Sequence, residues 1–69
     1  MELYVRKQLA QQMLKKVLIH RPVTKNELLV LLLEKFGLSA KFLNEFFILY
    51  SEQIDGNENE GFIWVNSVK

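Results

Sequence analysis

Apolar positions recur with a helical period in three stretches of the chain, and then give way to a strand-like run near its end. Leu9, Ala10, Met13, Leu14, Val17 and Leu18 fall at i, i+1, i+4 and i+5, which packs one side of a 3.6-residue spiral and predicts a helix. Lys15 and Lys16 lie toward its other side as solubilising charges. Running the spiral backwards puts Arg6 on the apolar face. Either the helix begins near Leu3 and its first turn overhangs the domain body, or Leu3-Tyr4-Val5 is extended. The first alternative is preferred, with a helix over about residues 3–19. His20-Arg21-Pro22 closes it, because the residue before a proline avoids the α region. His20 is then expected to be exposed at the helix C-terminus, where its positive form suits the dipole.

Thr24-Lys25-Asn26-Glu27 reads as a capping box. The Thr24 hydroxyl can accept from the Glu27 amide, and the Glu27 carboxylate can reach back to the Thr24 amide. A second helix follows over about residues 25–36, ended by Gly37, which enters a left-handed turn without steric cost. Ser39 is the expected N-cap of a third helix over about residues 40–51. Its inward face reads Leu43, Phe46, Phe47 and Tyr50, with Phe42 at the margin, and its outward face reads Lys41, Asn44, Glu45, Ile48 and Glu52. The remainder, to about residue 66, reads as a β-hairpin: Gln53–Asp55, a loop from Gly56 to Gly61, and a return strand Phe62-Ile63-Trp64-Val65. That strand is apolar on both faces, so it must be covered on both sides or form a sticky edge.

Composition narrows what such a chain can do. At 69 residues, 49% of them apolar, it is one small domain with a barely sufficient core. It has no cysteine, which excludes disulfides and thiolate-held metals, and with His20 as its one histidine no metal site is expected. The longest apolar run, Leu28 to Leu33, is far too short to span a membrane, and no secretory signal is legible around Arg6 and Lys7. An intracellular, cytoplasmic protein is the expectation. Catalysis is not expected: Ser39, Ser51 and Ser67 lack a base at motif spacing, and the stretch from Gly56 to Gly61 is too acidic to cradle phosphate. No cofactor or small-molecule ligand is expected either.

The net charge of +1 conceals an asymmetry. Residues 1–35 carry seven Lys and Arg against Glu2, Glu27 and Glu34, a balance of +4. Residues 36–69 carry Lys41 and Lys69 against five acids, a balance of −3. A polyanion would prefer the first half and be repelled by the segment from Asp55 to Glu60.

Helix, Pro-Val, helix, glycine turn, helix and hairpin, in that order, resemble a winged helix-turn-helix domain. The local form Gly37-Leu38-Ser39, with Leu32, Leu33 and Phe36 before the corner and Leu38, Leu43 and Phe46 after it, is similar to the turn of that motif, whose helices cross at up to about 120° over a corner residue free to take positive φ. The resemblance spans nearly the whole chain. It implies an α+β fold of three helices and a C-terminal wing, with Val23 in a short strand that joins the hairpin. A three-helix bundle with a disordered or strand-like tail is the competing architecture, and Phe62 and Trp64 argue against a disordered tail.

By this resemblance the third helix would enter the major groove of duplex DNA, with Ser39, Ala40, Lys41, Asn44 and Glu45 as candidate base contacts and Ile48 on the same face. Lys41 can donate to guanine or a phosphate, Asn44 can pair bidentately with adenine, and Glu45 can accept from cytosine. A plain solvated helix face would show the same residue types. Candidate phosphate contacts are Arg6, Lys7, Arg21 and Lys25, while Lys15, Lys16 and Lys35 are read as solubility. Leu3, Tyr4, Val5, Val30, Leu31 and Ile48 exceed what a monomer of this size can hide, and are candidates for a dimer or partner interface. The resemblance thus implies a small stand-alone transcriptional regulator acting as a homodimer, similar in size and layout to minimal regulators of archaea and their viruses or plasmids. The acidic wing opposes DNA binding and favours an alternative, a winged-helix module that docks a protein partner.

Overall fold

The structure is a computed structural model, described here for residues 2–65. The last position of the expected hairpin, residue 66, lies outside the described residues, as does Ser67. Three helices, α1 (Leu3–His20), α2 (Lys25–Phe36) and α3 (Ala40–Leu49), are followed by an antiparallel hairpin of β1 (Ile54–Asn57) and β2 (Gly61–Trp64). This is an α+β layout consistent with a winged helix-turn-helix. The core gathers Ala10, Leu14 and Leu18 of α1, Leu28 and Leu32 of α2, and Leu38, Phe42, Leu43 and Phe46 at and beyond the corner, with Val23.

Local signals account for the helix ends. Arg21 is extended after α1, as Pro22 requires. The Thr24 hydroxyl accepts from the Glu27 amide at 3.3 Å, and Glu27 Oε1 accepts from the Thr24 amide at 3.4 Å. Gly37 takes φ +63°, and its N–H reaches the Leu32 and Leu33 carbonyls. The helix α1 does start at Leu3, and its first turn is held by Arg6, whose Nη1 donates to the Phe36 carbonyl at 3.3 Å. A cation there satisfies one of the acceptors that a helix C-terminus leaves open. The helix α3 stops at Leu49, two residues short of the expected end, because Tyr50 leaves the helical region at φ −112°, ψ 33°.

The hairpin is tighter than its glycines imply. Gly56 and Asn57 remain in strand β1, paired with Phe62 and Gly61, so the loop is only Glu58-Asn59-Glu60. Asn57 Oδ1 accepts from the amides of Asn59 and Glu60 and closes this turn. The far side of β2 is covered at Phe62 alone among the described residues. Val23 pairs with Phe62 on its far side through both backbone hydrogen bonds, at 2.9 and 2.8 Å. One face of β2 meets the aromatic end of α3: Phe62 lies 4.8 Å from Phe47, and Trp64 lies 5.4 Å from Tyr50, between ring centroids.

Four side chains sit differently from their expected places. Leu33 is 66% exposed, so the wedge at the corner is filled by Leu32, Leu38, Leu43 and Phe46 without it. Phe42 is not marginal but buried, at 7% exposure. Leu9 is exposed beside Gln12, Met13 and Lys16 rather than packed. Lys15 is not a freely solvated charge, since its ammonium sits 4.5 Å from the Tyr50 ring centroid.

Candidate nucleic-acid interface

Burial of Leu43 and Phe46 fixes the rotation of α3, and that rotation decides which side chains face water. Ser39, Ala40, Lys41, Asn44, Glu45 and Ile48 are all exposed. Lys41, Asn44, Glu45 and Ile48 fall three or four residues apart, so they form a continuous face. Ile48 is 76% exposed at its end. Asn44 and Lys41 carry the donors and acceptors that base edges require, and no ion pair holds Lys41 or Glu45 among the described residues. Ser39 occupies the N-cap position, yet its hydroxyl makes no capping hydrogen bond, contrary to the expected role.

Beside this face lies an open cleft of about 290 Å³, between the first turn of α1 and the corner at Gly37. Leu3, Arg6 and Lys7 line it from α1; Leu38, Ser39, Lys41, Phe42 and Glu45 line it from the other side. Periodicity on one helix at a time could not bring these groups together. Arg6 and Lys7 are separated from Lys41 by half the chain, and only the packing of α1 across the corner joins them.

The remaining expected phosphate contacts are placed elsewhere. Lys25 begins α2 and is half-buried. Arg21 Nη2 is 3.2 Å from Glu27 Oε2, and its Nη1 donates to the Pro22 carbonyl. The Arg21 guanidinium, with the Thr24 amide after it, holds the Glu27 carboxyl below the usual glutamate range. Arg21 therefore already has an anionic neighbour, which lessens its pull on another. At the wing, Asp55, Glu58 and Glu60 are exposed with no cation among them.

Of the candidate interface residues, Tyr4, Val5, Val30 and Ile48 are exposed and Leu31 is half-buried. Leu3 is exposed but belongs to the cleft. Val5 and Leu9, one turn apart, share a different side of α1. Lys15 is the contact that sequence reasoning missed: it lies over both Tyr50 and Trp64 and links α1 to α3 and the wing. No group of three His, Asp or Glu side chains suited to a metal occurs among the described residues, and no helix there is long and apolar enough to cross a membrane. Comparisons with protein-family models, with curated proteins and with solved structures give no match for this chain.

Proposed function

We propose that this protein is a winged-helix DNA-binding protein that regulates transcription as a homodimer, with α3 as the helix that enters the major groove. The observation that carries this reading is the division of α3. Leu43 and Phe46 pin one side to the core while Lys41, Asn44, Glu45 and Ile48 form an open face on the other. A helix supported from behind by α2 and bearing amide and ammonium groups outward suits direct base readout. Copies join through the exposed side of α1 that carries Val5 and Leu9, which spaces two reading helices along the duplex. Duplex DNA as the ligand puts its work inside the cell.

The test is fluorescence anisotropy with a pool of duplexes at low and moderate salt. Affinity falls steeply as salt rises, because released counterions drive phosphate binding. Lys41→Ala flattens the salt dependence, and Asn44→Ala relaxes sequence preference. No detectable binding to any duplex at low salt would overturn the reading.

One set of observations favours a second reading, a module that docks a protein. Val30 and Leu33 on α2, and Ile48 and Leu49 on α3, are exposed apolar side chains, and the wing tip is acidic. Under that reading Leu33→Ser abolishes partner capture, and no duplex binds.

A further inference from the structure

The first turn of α1 and the start of α3 contribute cations to the same opening. We propose that the cleft between them is a site for a phosphate group. Given the DNA-binding reading, on which this inference rests, the group is a backbone phosphate beside the groove that α3 enters. The second DNA contact of the domain is then made by α1, and the wing takes no part in it.

Charge is the first argument. Arg6, Lys7 and Lys41 line the cleft against one acid, Glu45, and none of the three has an ion-pair partner among the described residues. Three cations held around one opening repel one another, and a phosphate entering it relieves that repulsion. Preorganisation is the second. Arg6 is half-buried and its Nη1 is committed to Phe36, which fixes the guanidinium at the rim with most of its donors still without an acceptor. Lys7 is half-buried beside it. Surroundings are the third. Leu3, Leu38 and Phe42 also line the cleft, so few competing acceptors face the three cations. The Ser39 hydroxyl, free of any capping bond, adds a neutral donor. Meanwhile the wing bears Asp55, Glu58 and Glu60, which repel phosphate.

Two measurements on the intact chain test the site and its source of phosphate. Titrating inorganic pyrophosphate at low salt, followed by amide and guanidinium NMR, shifts Ser39, Ala40, Lys41 and Arg6 together. Shifts spread evenly over all surface lysines, or none at the cleft, overturn the proposal. With duplex DNA, Lys7→Gln and Lys41→Gln each lower affinity roughly tenfold. Both lysines serve one phosphate, so the double variant reduces the slope of log K against log salt by about 1. A reduction of about 2, with additive losses, overturns the shared site. Lys35→Gln, outside the cleft at the end of α2, leaves affinity unchanged. Arg6 is left intact because it also holds the end of α2. Cleft shifts with pyrophosphate but no duplex binding would uphold the phosphate site and assign it to a free phosphate-bearing ligand, and the DNA reading would then fail alone. Duplex binding unaffected by the two lysines would sink the site and leave that reading standing.

Discussion

Val23 and Phe62 exchange both of their backbone hydrogen bonds, so the short link between α1 and α2 pairs with the wing at one residue on the far side of β2. An isolated two-stranded hairpin is marginal in water, and this pairing with the aromatic contacts to α3 gives the wing the support it needs. Gly61 makes the arrangement possible. At φ +97° it lies against the Pro22–Val23 backbone, where an added Cβ would come within 3.1 Å of the Val23 nitrogen.

Gly61→Ala therefore pushes the wing off the Val23 strand as well as straining its own backbone. The expected loss is about 1–3 kcal/mol of folding stability. Urea unfolding followed by Trp64 fluorescence measures it. A variant as stable as the parent would mean that the close approach does not constrain the hairpin.

Lys15 lies over the rings of Tyr50 and Trp64, at 4.5 and 5.7 Å from their centroids. Lys15→Gln keeps much of the side chain's length but removes the cation. A loss of about 0.5–1 kcal/mol follows, with a change in Trp64 emission in the folded state. Duplex affinity stays the same, since this charge is spent within the domain. A drop in affinity comparable to that of Lys41→Ala would show that Lys15 serves DNA instead.

Signals that depend on residues close in sequence are legible in the chain itself. The Thr24–Glu27 box, the Pro22 stop and the Gly37 corner are all short-range chemistry, and each lies where the spacing puts it. The pairing of Val23 with Phe62 is expected only through likeness to a fold, because nothing in either residue names the other. Rotation of the apolar helices is harder to read. Leu28 to Leu33 are apolar all the way round the spiral, so periodicity alone cannot tell that Leu32 faces inward and Leu33 outward. Gly56 has the character of a loop residue, yet at φ +122° it runs within the strand, where a Cβ would strike the Gly61 carbonyl. The cleft and the Lys15 contact depend on how distant elements pack, which no local pattern encodes.

Arg21 and Glu27 give the domain a pH signature. The Glu27 carboxyl is held below the usual glutamate range by Arg21 first, and by the Thr24 amide second. A depressed carboxyl contributes stability that is full above the unfolded value, about 4.3, and is lost as pH falls through the lower folded value. The pair is exposed, so solvent screens it and the contribution is small. Arg21→Gln moves the Glu27 midpoint upward in an NMR titration of its side-chain carboxyl. An unchanged midpoint would assign the depression to the cap amide alone.

Oligomeric state tests the outward side of α1. Val5 and Leu9 are exposed one turn apart on one side of the helix, while Leu3 lies toward the cleft. Apolar side chains grouped on one side of a helix are what a self-complementary interface buries, and a two-fold axis there brings the same residues from each copy together. Leu9→Glu places two carboxylates face to face across that axis and turns a dimer into a monomer. Because Leu9 lies outside the core, folding stability changes little, which separates the effect from unfolding. Sedimentation equilibrium at high micromolar concentration gives about twice the chain mass for the parent and a single chain mass for the variant. Duplex affinity falls along with the dimer, since two linked reading helices bind far more tightly than one. A parent protein that already sediments as a single chain would remove this interface, and with it the reason for Val5 and Leu9 to lie in water.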